Sequence, residues 1–145
     1  MEDLVLPYIS KFTDLEYYYK KKFEIWKAKD YGVALKLHKY DDVMLYIENR
    51  LIRCGDIINS KKEDLIDLNS GNIDPIIRKK MKKDKDFLKK YTNSTERVIA
   101  RFEKEISELQ SVKTAVNTND HKYIDRVVEE TEERSREYIR QMVRE

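Results

Sequence analysis

The sequence predicts an all-α fold: an elongated antiparallel helical hairpin or bundle of three to four long helices with one or two short ones. Three observations carry that expectation. The chain contains only 3 Gly and 2 Pro among 145 residues, so it has few places at which a helix must stop. Charged residues make up 40% of the chain, and large apolar residues recur at spacings of three and four, which places them on one side of a helix and the charges on the other. The length fits a single domain, 1–145, able to bury roughly 70% of its unfolded surface.

The first helix is expected over about 4–29, with Val5, Tyr8, Ile9, Phe12, Leu15, Tyr19, Phe23 and Trp26 as its stripe. A short connection at Lys29, Asp30, Tyr31 and Gly32 then turns the chain into a hairpin. The second helix, about 31–59, repeats Leu37, Tyr40, Met44, Ile47, Leu51, Cys54 and Ile58 in heptad fashion, the pattern of a helix packed along a neighbour. Ser60 with Glu63 forms a capping box that opens a brief helix, about 61–69, closed by Asn69, Ser70 and Gly71. Asp74 and Pro75 provide an N-cap and a preset first turn for a helix over 75–91. Asn93 with Glu96 makes a second box, opening 94–116 with the stripe Ile99, Phe102, Ile106, Leu109 and Val116. After a break at Asn117–Asp120, Ile124, Val127, Val128, Thr131, Ser135, Tyr138 and Met142 share a face of the last helix, 121–145. Between Val128 and Tyr138 that face holds only Thr131 and Ser135, so the last helix is expected to bury little and dock weakly.

Several function classes are disfavoured by composition. Thirty basic and 28 acidic residues nearly cancel, leaving a net charge of +2, so a nucleic-acid reading must rest on local clustering. One cysteine, Cys54, excludes an internal disulfide framework and fits a reducing compartment. Met1, Glu2 and Asp3 put no basic region before an apolar stretch, and no apolar run approaches the roughly 18 residues of a bilayer span. A cytoplasmic protein without a membrane span is expected.

Catalytic patterns are also missing. His38 and His121 are the two histidines, and neither sits in a Glu-x-x-His or His-Glu-x-x-His arrangement. His121 and Asp125 read as a surface pair, since a metal site needs three or four ligands. Cys54 falls within an apolar stripe, where a thiol acts as a small hydrophobe. The glycines stand alone at 32, 55 and 71, so no phosphate loop is present. The expectation is a protein that is not an enzyme, with no catalytic residue, metal or cofactor.

Two features point to partners. "RKKMKKDKDFLKKY", 78–91, is densely basic; Arg78, Lys79, Lys80, Lys82, Lys83, Lys89 and Lys90 form the patch. Lysine dominates and base-reading Asn or Gln is absent, so the solvated side of a helix is the leading reading, with a nucleic-acid or anionic surface as an alternative. The second feature is aromatic display. Tyr17, Tyr18 and Tyr19 are consecutive and cannot share one face. Tyr17 and Tyr46 lie off the stripes of their helices, and Tyr18, Ile25, Leu45 and Ile52 flank them. Exposed tyrosine contributes large contact area with a polar tip. Tyr17, Tyr18, Tyr46, Tyr123, Val127, Tyr138 and Met142 are therefore the candidate partner contacts.

The segment "WKAKDYGVALKLHKYDDVMLYIENRL", followed by "IDPIIRKKMKKDKDFLKKY", resembles the small helical flagellar export chaperones of the FliT/FlgN type over residues 4 to 110. In that pattern a long helix ends, an Asp and an aromatic follow, and a Leu-bearing charged helix continues. The resemblance implies a dedicated binder that keeps a flagellar or other secreted protein unpolymerised and hands it to the export machinery. The near-neutral charge and the basic helix at 78–90 lie outside the pattern. With the residues read on their own, it implies burial of a partner's amphipathic helix. A bundle that simply forms a homodimer is the remaining alternative.

Overall fold

The computed structural model describes residues 12–71 and 73–144. Six helices follow one another among them: α1, Phe12–Trp26; α2, Gly32–Lys36; α3, Tyr40–Ser70; α4, Pro75–Lys83; α5, Phe87–Asn117; and α6, His121–Arg144. A single π-helical turn, Lys27–Tyr31, joins α1 to α2. The fold is all-α, with four long helices and two short ones among the described residues. Val5, Tyr8 and Ile9 of the first expected stripe lie outside the described residues.

Contacts along the chain define the directions. Arg50 and Cys54 of α3 meet Glu105 of α5, while Ile58 shares a cluster with Val98 and Ile99, so α3 and α5 run antiparallel. Glu16 pairs with Arg97 at 3.4 Å and the Tyr19 ring meets Phe102 at 5.0 Å, so α1 runs parallel to α5 on its other side. α6 runs back along α1: Lys21 donates to Gln141 at 2.8 Å, Glu24 pairs with Arg134 at 3.2 Å, and Lys36 of α2 pairs with Glu132. One core cluster joins Phe23, Tyr31, Leu35, Val43, Ile47, Leu109, Val112, Ile124 and Val127. The other, further along α3 and α5, joins Cys54, Ile58, Val98, Ile99 and Phe102.

Three boundaries depart from the sequence reading, each because packing outweighs a local signal. The turn into α3 lies at 37–39, not at 29–32. Gly32 is helical and buried, its N–H donating to Lys27 O across the π turn, and the left-handed residue is His38 with φ 58°. Leu37, placed on the expected stripe, is consequently exposed. Second, Ser60 and Glu63 cap nothing, since α3 runs unbroken to Ser70 and stops at Gly71 with φ 85°. The stripe continues past Ile58 through the partly buried Leu65 to the buried Leu68, so there is an apolar reason to stay helical. Third, the helix from Pro75 breaks at Asp84, whose Oδ1 accepts from Asp86 N–H at 2.9 Å and whose Oδ2 accepts from Lys90 at 3.0 Å. Those two hydrogen bonds hold the Asp84 carboxyl below the usual carboxylate range. α5 therefore starts at Phe87, and Asn93 and Glu96 fall inside it.

Among the described residues, two helix starts with side-chain caps fall at the expected breaks. Asp74 Oδ1 accepts from Ile76 N–H at 2.8 Å ahead of α4. Asp120 Oδ1 accepts from Tyr123 N–H at 3.2 Å ahead of α6.

The last helix is divided. Ile124, Val127 and Thr131 are buried, whereas none of the described side chains from 132 onward is. The first half is docked despite its small residues, because Thr131 meets the glycine of α2 at close range. Amide exchange in 122–131 is expected to be as slow as in the middle of α3 and α5, and at least ~10-fold faster in 134–144; uniform protection along α6 would contradict this division.

Candidate functional site

α6 meets Gly32 of α2 closely at Thr131 and then runs on beside α1. Beyond that point α1 and α6 carry longer side chains, and a groove of about 270 Å³ opens between them, lined by Lys21, Glu24, Ile25, Ala28, Lys29, Arg134, Ser135, Glu137, Tyr138 and Ile139. The helical repeat builds it: positions 21 and 25 of α1 and 28 of the π turn form one face, and 135, 138 and 139 one face of α6. Ile25, Ala28, Tyr138 and Ile139 supply the apolar surface, and Ile139 remains 56% exposed. Polar links cross the groove without closing it: the Lys21–Gln141 hydrogen bond, the Glu24–Arg134 pair, and Lys29 Nζ 5.7 Å from the centre of the Tyr138 ring.

Three of the seven expected contact residues belong to this face. Tyr138 lines the groove. Tyr17 lies about two turns before Glu24 of α1 and three before Ala28 of the π turn, and Tyr18 about two turns before Ile25, so the pair continues the groove face along α1. Tyr17 is 63% exposed; Tyr18 is half-buried, edge-on to Tyr19 at 5.5 Å and beneath Lys22 Nζ at 5.6 Å. Met142 follows Tyr138 by about one turn on α6, but its side chain lies outside the described residues.

The other three separate from them. Tyr46 is exposed on α3. Val127 is a correction: it is only 6% exposed and belongs to the core, because positions 124, 127 and 131 are the face by which α6 docks. Tyr123 packs against the same core and lines a second cleft of about 600 Å³ with Tyr31, Glu108, Glu130 and Glu133. Arg126 stands 5.0 Å over the Tyr123 ring there. Burial, assisted by Glu108 and neighbouring groups, pushes the Tyr31 phenol far above its ordinary pKa.

The basic residues do not share one helix. Arg78, Lys79, Lys80, Lys82 and Lys83 are on α4, Lys89 and Lys90 on α5 beyond the Asp84 break, and all are exposed. Arg78 Nη2 donates to Gly71 O at 3.0 Å and Lys90 is held by Asp84, so two of the seven take part in turn structure.

The sequence reading missed the polar centre of the core. Glu105 is 1% exposed, and Arg50 grips it through Nε at 2.5 Å and Nη2 at 3.1 Å. Cys54 Sγ donates to the same carboxylate at 2.9 Å. The Arg50 guanidinium stands 5.9 Å from the Phe23 ring, 5.8 Å from Trp26 and 6.0 Å from Phe102, so its cation is enclosed by aromatic faces. A signal was present: Glu105 occupies the apolar stripe between Phe102 and Leu109. Burial, reinforced by the hydrogen bond to Glu105, pushes the Cys54 thiol far above its ordinary pKa. A thiol held protonated is a poor nucleophile, and this cluster is structural. Among the described residues no group of three His, Cys, Asp or Glu could hold a metal ion, and no helix is long and apolar enough to cross a membrane.

Comparison with known proteins yields no matching family model, no matching curated sequence and no matching solved structure.

Proposed function

We propose that the chain is a non-enzymatic protein-binding module of the cytoplasm, an export chaperone that holds an amphipathic helical segment of a flagellar or other secreted protein in the α1/α6 groove. The carrying observation is the solvent-open apolar surface of Ile25, Ala28, Tyr138 and Ile139 between two helices, continued along α1 by Tyr17 and Tyr18. A groove between two helices is the natural seat of a third, whose apolar residues fill it at three- and four-residue spacing. From Tyr17 to Lys29 the wall made by α1 and the π turn measures about 18 Å, room for roughly three turns of partner helix. The binding requires no cofactor or metal.

The test is capture from the source cell at high salt with tagged wild-type protein and an Ile139→Asp variant, followed by titration of a synthetic helix from the captured protein. A secreted or filament protein whose helix binds the variant at least ~10-fold more weakly than wild type is the expected result. Equal binding to both forms would overturn the assignment of the groove. A second reading, homodimerisation, is favoured by Leu45, Ile52 and Ile66, all exposed at multiples of seven on the outer side of α3. It requires a solution mass of twice 17.5 kDa that Ile139→Asp leaves unchanged.

A further inference from the structure

The other end of the molecule carries a feature the groove does not use. α4 buries no residue and packs chiefly on the start of α5, with Ile77 and Met81 half-buried on its inner side. Asp64, Asp67 and Asp74 line the small cleft behind it, while its nine residues carry Arg78, Lys79, Lys80, Lys82 and Lys83 and no acid. Ile76 is 66% exposed, and the positions three, four and seven residues after it are Lys79, Lys80 and Lys83, its neighbours on one helix face. An isoleucine surrounded by lysines points outward from this tip. Leu88, at the start of α5 just past the break, is also exposed.

We infer that the α4 tip docks on an anionic lipid surface, with Ile76 entering the headgroup–acyl boundary and Lys79, Lys80 and Lys83 meeting lipid phosphates. Charge complementarity selects a polyanion. Eight cations and two anions fall within 75–91, against a net charge of +2 for the whole chain, so the remainder of the protein is net negative. An anionic surface therefore attracts this end and repels the rest, orienting the molecule tip first. The apolar centre of the cationic face then favours lipid over nucleic acid. A bilayer accepts an isoleucine ringed by lysines, whereas a nucleic-acid surface is gripped by exposed aromatics and read by Arg, Asn or Gln. On α4 the exposed side carries lysines and isoleucine, its one arginine, Arg78, is turned to Gly71 O, and the nearby Phe87 and Tyr91 are buried and half-buried.

The experiment is co-sedimentation of the full chain with vesicles of phosphatidylcholine alone and with about 30% phosphatidylglycerol, beside titration of a duplex DNA. Retention on the anionic vesicles at low salt, falling steeply as salt rises, is expected. The triple variant K79Q/K80Q/K83Q should bind about 100-fold more weakly and Ile76→Ser roughly 3- to 10-fold more weakly; all four residues are exposed, so the fold is retained. Retention no better than on neutral vesicles, vesicle binding indifferent to Ile76→Ser, or tighter binding to the duplex would each overturn the inference. The groove variant Ile139→Asp should leave vesicle binding unchanged, which separates this test from that of the chaperone reading.

Discussion

Glu105→Ala is expected to lower the unfolding free energy by about 3 kcal/mol, among the largest losses available to a single substitution in this chain. The carboxylate is 1% exposed and its partner, the Arg50 side chain, 16%. Removing the acid leaves a guanidinium enclosed by Phe23, Trp26 and Phe102, and a guanidinium cannot shed its proton to escape the burial. It also removes the acceptor of the Cys54 thiol. The partial exposure of Arg50 gives it a route toward water, which places the loss at the lower end of the roughly 3–5 kcal/mol seen when a buried pair is broken. Replacing both members, Arg50→Met with Glu105→Leu, removes the stranded charge and should return stability to within about 1 kcal/mol of wild type. Urea unfolding followed by circular dichroism measures both. A Glu105→Ala variant within about 0.5 kcal/mol of wild type would show that the pair has no such role.

Gly32→Ala should cost about 2 kcal/mol, although alanine is the better helix former by roughly 1 kcal/mol. A Cβ at this position would stand 2.8 Å from Lys27 O, 2.8 Å from Thr131 Oγ1 and 2.9 Å from Thr131 Cβ. The first of these is backbone inside the π turn, so it cannot rotate away. Relief requires α6 to move off α2, which strips cover from Tyr31 and Val127. Gly55 is the control: it lies within α3, and a Cβ there meets nothing within 4 Å, so Gly55→Ala should stabilise by about 0.5–1 kcal/mol. Opposite signs for the two substitutions are the expected outcome of thermal or urea unfolding. A stabilising Gly32→Ala would mean that α2 and α6 do not approach this closely. Because this crossing sets one end of the groove, Gly32→Ala should also accelerate amide exchange in 122–131.

The sequence by itself determined the features that depend on the chain's local chemistry. Scarce Gly and Pro and the three-and-four spacing dictate helices, and the run Ile47, Cys54, Ile58 identifies the buried side of α3 without reference to any neighbour. Asp74 before Pro75, Gly71 after Ser70 and Asp120 before α6 act through their own backbone, so the ends they mark are legible. The capping boxes at Ser60 and Asn93 are equally local and yet unused, because Leu65, Leu68 and Phe87 gain more by extending buried stripes than those boxes offer. Which signal wins is a comparison with burial, and burial exists only after the helices pack.

The same reason governs the rest of what tertiary structure decided. Gly32 reads as a turn residue until Thr131, about a hundred residues away, occupies the space its side chain would need. Glu105 interrupts the apolar stripe of α5 with no visible reason until Arg50 is placed opposite it. The six expected contact residues whose side chains are described share one apolar or aromatic character yet divide among a groove, a core and an outer helix face, since side-chain type states what a residue can bury and only the assembled neighbours state what remains uncovered.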